Sequence, residues 1–160
     1  MNVKILKLLE SNAKMSPEDI AVALNMSPDD VKKELSEMEC AGIIRGYKCI
    51  IDWERLDGMP VNAIIELKVT PKAGLGFEDV AERIAGYPNV DSVSLMSGAC
   101  DLIVNVRGKN LQEVSSFVAK ELAVIDGVSS TATQFVMRKY KEFGVCLFGA
   151  EDDGRGKISL

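Results

Sequence analysis

The 160-residue chain contains no histidine, which removes the commonest general base and the commonest transition-metal ligand. Histidine-dependent catalysis is excluded. Its four cysteines, Cys40, Cys49, Cys100 and Cys146, stand at wide and irregular spacings with no Cys-x-x-Cys pair, so neither a zinc site nor a redox dithiol is signalled. No metal and no cofactor is expected. No apolar run approaches the roughly 18 residues of a membrane-spanning helix, and Lys4, Lys7 and Glu10 interrupt the start too often for a secretion signal. The sequence reads as cytoplasmic, with no membrane partner. Positive charge is also short: the net charge is −5, so any contact with nucleic acid has to use a local patch.

What is present is the composition of a globular protein, 47% hydrophobic, long enough for one domain or two small ones. Residues 1–57 read as three short amphipathic helices and a hairpin. Ile5, Leu8 and Leu9 make a helical stripe that Ser11 and Asn12 end. Ser16 followed by Pro17 and Asp19 combines an N-cap hydroxyl, a proline at the first helical position and an acid near the positive helix end. The device repeats at Ser27, Pro28 and Asp30, and Val31, Leu35 and Met38 give the third helix its buried side. Gly42 is placed to stop it. Ile43-Ile44, Arg45-Gly46-Tyr47 and Lys48 to Ile51 read as two short strands around a turn. The sum is a winged helix-turn-helix.

In such a module the third helix enters the major groove, so its solvent-side residues Ser27, Asp29, Lys32, Lys33 and Ser36 are candidates for DNA contact. Arg45 and Lys48 are candidates for the flanking backbone. A second reading stays open, in which Lys32 and Lys33 pair with Glu34, Glu37 and Glu39 along the helix. Up to residue 60 there are eight Lys and Arg against eleven Asp and Glu, a local net of −3.

Residues 58–149 have a different character. Val61, Ala63, Ile65, Leu67 and Val69 alternate with polar residues as one strand, and Ile64 breaks the polar face. A loop from Pro71 to Gly76 precedes a helix carrying Phe77, Val80, Ala81 and Ile84. Val90 to Met96 and Leu102 to Val106 are strands around the turn Ser97 to Asp101. Asn110 caps a helix with Leu111, Val114, Val118 and Leu122, and Asp126-Gly127 leads into a strand from Val128 to about Met137. Strand, helix, strand, strand, helix, strand is the ferredoxin-like βαββαβ arrangement, an αβ sandwich. The fold class is therefore α+β. Helices cover one sheet face, and Ile64 and Phe135 suggest that a second copy covers the other. Tyr140 to Gly149 is apolar enough to dock as an edge strand or arm, and 150–160 reads as a mobile tail.

The residues Ile5-Leu-Lys-Leu-Leu9, Ser27 with Val31 and Leu35, Gly42 to Tyr47, Ser97-Gly-Ala-Cys-Asp101 and Gly127-Val128 followed by threonines give the chain a resemblance to the leucine-responsive and asparagine-regulator (Lrp/AsnC) family of transcription factors. The resemblance runs to about residue 141. It implies double-stranded DNA as a partner, homodimers assembling into tetramers or octamers, and an amino-acid effector held between back domains. It maps the effector region onto Ser97, Gly98, Asp101, Thr131, Thr133 and Gln134. Asp101 suits an ammonium group, or equally the local backbone amides of its turn; Gly98 suits a backbone conformation more than a contact. The family usually carries an arginine where this chain has Glu34, and an acid there would repel phosphate. The siroheme decarboxylases are similar in architecture but rely on histidines, and Cys100 has no base partner, so no enzyme is expected. The function implied is an amino-acid-responsive DNA-binding transcriptional regulator; the alternative is a ligand-sensing oligomeric co-regulator without independent DNA binding.

Overall fold

The structure, a computed structural model, describes residues 1–56, 58–71 and 76–147. The expected tail, 150–160, lies outside the described residues. The chain divides into two compact units, one from Met1 to Ile50 and one beginning at Ile51. Residues 51–56, which the sequence pattern assigns to the front, group with the second unit, where Glu54 pairs with Arg138 at 3.1 Å.

The first unit contains helices α1 (Val3–Ser11), α2 (Pro17–Leu24) and α3 (Pro28–Cys40). Each starts on a side chain that accepts an otherwise unpaired helix N–H. Asn2 accepts from the Lys4 amide, Ser16 from Asp19 and Ser27 from Asp30, each at 3.1 Å. Asn25, in the left-handed conformation, ends α2 and leaves only Met26 before the next cap. Ile5, Leu9, Ile20, Ala21, Val31 and Met38 form the core.

After α3, Gly42 takes φ +66°, the left-handed turn expected of it. The Ile43 and Ile44 amides both donate to the Met38 carbonyl, at 2.9 and 3.2 Å. The paired strands expected next do not form: residues 43–51 have no strand partner among the described residues. Ile43, Tyr47, Ile50 and Ile51 are exposed, and a two-stranded hairpin without an apolar face to pack is marginal. The winged helix-turn-helix thus carries its wing as an irregular loop.

The second unit is the ferredoxin-like sandwich. Strands β1 (Val61–Val69), β2 (Val90–Leu95), β3 (Leu102–Gly108) and β4 (Val128–Phe135) form one sheet in the order β2-β3-β1-β4, every pair antiparallel. Helix α4 (Phe77–Ala85) links β1 to β2. Helix α5 (Leu111–Phe117), continued by a wider turn at Val118–Leu122, links β3 to β4. Ala63, Ile65, Leu67, Leu102, Val104 and Val106 point to the helices and pack on Val80, Ile84, Val114 and Leu122. Leu111 departs from its expected core place. It opens α5 and is 48% exposed.

Register decides the other sheet face. Phe135 pairs with buried Ala63, and residues directly opposite share a face, so Phe135 joins the helix side and does not extend the apolar patch around Ile64. That open face carries Asn62, Glu66, Asn105, Arg107 and Gln134 beside Ile64 and Ile103. Of the segment expected to dock as an edge strand or arm, the described part adds no strand to the main sheet and pairs with itself; residues 148–149 lie outside the described residues. Strands β5 (Lys141–Glu142) and β6 (Val145–Cys146) pair as a separate hairpin. Phe143 and Gly144, both at positive φ, make the two-residue turn that pairs them locally.

Candidate functional site

The exposed side of α3 is built by the same periodicity that buries Val31 and Met38. Asp29, Lys33 and Ser36, four and three positions apart, share one solvent-facing strip. The expected contact residues do not all remain available there. Ser27 uses its hydroxyl as the cap, accepting from the Asp30 amide and donating to the Asp30 carboxylate at 2.6 Å. Lys32 turns toward α2, where its Nζ lies 2.9 Å from Glu18 Oε1. That hydrogen bond and the attraction of the two charges raise the Lys32 pKa, and the bond from Lys32 lowers that of Glu18. The intrahelical pairing with Glu34, Glu37 and Glu39 is therefore not the one Lys32 makes. Lys33 is exposed and enters none of the ion pairs among the described residues.

Arg45 and Lys48 are exposed on the loop after α3. A side chain at Gly42 would come within 3.1 Å of the Arg45 guanidinium carbon, so the arginine folds back over the end of α3. Tyr47 anchors the loop, its hydroxyl donating to Glu39 Oε1 at 2.9 Å. Burial first, and then that carboxylate, raise the Tyr47 pKa. Glu34 faces neither the strip nor the loop. It accepts from the Asn2 backbone amide at 3.0 Å.

The second candidate region lies at one end of the sheet. The Met96 amide donates to the Asp101 carbonyl at 2.8 Å and closes the turn 97–100. Asp101 Oδ2 accepts from the Val69 amide at 2.8 Å, while the Asp101 amide donates to Leu67. Asp101 thus satisfies a backbone amide, but one on the neighbouring strand β1 and not within its own turn. The carboxylate ends the β1–β3 ladder. Gly98 does not have the left-handed conformation that would demand glycine, and a Cβ there would meet nothing within 4 Å. Neither backbone strain nor packing against the described residues explains it. Ser97 is exposed beside it.

The β4 residues do not converge on that turn. Thr131 pairs with Leu67, near the turn's end of the sheet, and Thr133 pairs with Ile65, both on the helix side. Gln134 is on the open face, donating to Glu66 at 2.9 Å. Strand alternation separates the two threonines from Gln134.

Three contacts escaped the sequence pattern: Asn2 with Glu34, Glu18 with Lys32, and Tyr47 with Glu39. None has a fixed spacing, since each joins different elements. A cleft of about 80 Å³ in the second unit is lined by Trp53, Glu54, Asn62, Arg107 and Arg138 among others. Arg107 binds Asp91 at 2.9 Å and lies over the Trp53 ring at 5.8 Å, leaving its buried Nε without a partner. Among the described residues no His, Cys, Asp or Glu cluster is arranged to hold a metal ion, and no helix is long and apolar enough to cross a membrane.

Residues 62–145 match the family described as the Lrp/AsnC ligand binding domain, and residues 2–45 match winged helix-turn-helix DNA-binding. The HTH-type transcriptional regulator YugG of Bacillus subtilis is 40% identical over 157 residues, covering 98% of this chain and 95% of that protein. The leucine-responsive regulatory protein of Haemophilus influenzae is 27% identical over 142 residues, 89% of this chain and 85% of its own length. Among solved structures, a transcriptional regulator of Neisseria meningitidis in complex with L-Met superposes with a TM-score of 0.68 at 25% identity, covering 88% of this chain and 90% of that one.

Proposed function

The chain belongs to the Lrp/AsnC family of transcriptional regulators, and we propose that it works in the cytoplasm as an amino-acid-responsive regulator that binds double-stranded DNA through α3. The observation that carries the DNA half is the capped pair α2 and α3, one residue of turn between them, with Asp29, Lys33 and Ser36 on the exposed strip. Arg45 and Lys48 flank it for phosphate contact. The ligand half is supported by the turn Ser97 to Asp101, where Gly98 leaves open space beside a carboxylate. The L-Met complex of the Neisseria protein supports an amino acid as the class of effector. Homodimers, and tetramers or octamers built from them, bring two such turns together, and a ligand that prefers one assembly shifts it.

Binding to the DNA upstream of the protein's own gene, measured at low and moderate salt with and without a pool of amino acids, tests this. Salt-sensitive binding that the pool shifts, and that Lys33→Ala weakens at every sequence, is the expected result. A co-regulator without DNA affinity of its own is the second reading, favoured by Lys32 being held on Glu18 and by the acidic balance of residues 1–60. Amino-acid binding with no sequence-preferring DNA binding at any salt would select it.

A further inference from the structure

We infer that Glu34 is a positioning residue, a clasp that fixes α3 against the start of α1, and not an acid presented to DNA. Its side chain is only 25% exposed. One oxygen, Oε2, accepts the Asn2 backbone N–H at 3.0 Å and lies 3.2 Å from the Met1 amino nitrogen. Asn2 is the residue on which α1 begins: its side-chain oxygen accepts from the Lys4 amide, and its side-chain nitrogen lies 3.4 Å from the Met26 sulfur in the turn between α2 and α3. A single residue thus ties the first helix to the middle of the third and to the turn before it.

The chemistry of that place suits an anion. The first turn of a helix has unpaired N–H groups and the positive end of its dipole, and α1 has no acid of its own in its first turn. Glu34 supplies one from another helix. An arginine at the same position would set a cation against the same positive end and leave the Asn2 amide without its acceptor. The acid therefore does for α1 what Asp19, from within its own helix, does for α2, where its carboxylate accepts the Ser16 amide. Its direction also removes the electrostatic objection that its place in the sequence raises, because Asn2 and Glu34 face each other, away from the Asp29, Lys33, Ser36 strip. The consequence for DNA rests on α3 being the helix that enters the groove.

The test uses the full chain with Glu34→Ala, Glu34→Gln and Glu34→Arg. Amide exchange of Asn2 reads the clasp directly: alanine and arginine are expected to speed it at least tenfold, while glutamine, which keeps an acceptor oxygen, retains part of the protection. DNA affinity reads the consequence. Alanine and arginine are expected to weaken binding about fivefold or more with an unchanged dependence on salt, and glutamine to stay within about twofold. A phosphate-facing acid would behave oppositely, with tighter binding and a steeper salt dependence on removal of its charge. That pattern, or Asn2 exchange indifferent to all three substitutions, overturns the inference. If the wild type binds no DNA, the DNA-binding reading fails by itself, and Asn2 exchange still decides the clasp.

Discussion

In the front unit the side chains that close the backbone stand three positions from their partners, Ser16 with Asp19 and Ser27 with Asp30. In the back unit the comparable group, Asp101, reaches a Val69 amide 32 positions away. Helices generate their own unpaired groups within a turn of sequence, so local residues can satisfy them. A sheet generates them wherever a ladder ends, and the partner has to come from another strand. The cores differ in the same sense. Among the described residues, six buried side chains hold the three front helices, whereas fourteen form the core of the back unit. The front therefore depends more heavily on each cap and ion pair, and the back on register.

The largest effects should separate the two units. Ile65 is fully buried in β1, which is bonded on both edges, and Ile65→Ala is expected to cost about 2–5 kcal/mol through lost contact and an unfilled cavity. Trp53, the one tryptophan, belongs to the back unit, so its fluorescence follows that unit. Ile20→Ala, at an equally buried front position, should cost a similar amount yet melt helix, read by circular dichroism, before the Trp53 signal moves. A single coincident transition in both variants would mean that the units unfold as one body and that the contrast drawn between them is wrong.

Next in size is the ladder end. Asp101→Ala leaves the Val69 amide without its acceptor, and about 1–3 kcal/mol of stability should be lost in the back unit alone. Asp101→Asn keeps an oxygen for that amide and should recover most of it in chemical denaturation. If the carboxylate also meets an effector's ammonium group, the Asp101→Asn variant stays folded but loses amino-acid binding by calorimetry; unchanged binding would confine Asp101 to its structural contact. Gly98→Ala should change stability by less than about 0.5 kcal/mol, since the new methyl meets open space. A fall in amino-acid affinity in that variant would make the vacant space part of the site, and unchanged affinity would place the ligand elsewhere.

The same contrast explains what could be read in the sequence. Ser16-Pro17 and Ser27-Pro28 announce helix starts within four residues, and β1 shows its buried face by simple alternation, so the order of α1 to α5 and of the four strands of the main sheet was legible. The wing was not. Ile43, Ile44, Ile50 and Ile51 have strand character, but pairing needs a face to pack on, and the first two amides go to Met38 instead. Phe135 looked like part of the open face until its register with Ala63 was known. At the turn 97–101, the family resemblance brought out Gly98 and Asp101 as a pair, yet the distant Val69 amide that holds Asp101 has no sequence signal. On α3 the same limit applied to charge: Lys32 and Glu34 were visible as charges, but their partners sit on other helices.

The smallest expected effect is also the most direct measure of that last point. The Glu18 and Lys32 side chains are both more than half exposed, and exposed ion pairs contribute little to stability, so Glu18→Gln should leave the unfolding transition where it is. Its effect belongs to DNA binding, because it frees Lys32 from a carboxylate that competes with phosphate. Affinity should rise, and the slope of log affinity against log salt should steepen by about one phosphate contact. The glutamate pKa is lowered and the lysine pKa raised, so the pair is lost only as pH falls through the depressed value or rises through the elevated one. Between those limits, from mildly acid to mildly alkaline solution, the gain from Glu18→Gln should be flat with pH. An unchanged slope would show that Lys32 stays on the α2 side even when bound to DNA, and would leave Lys33 as the cation of α3 that meets the backbone.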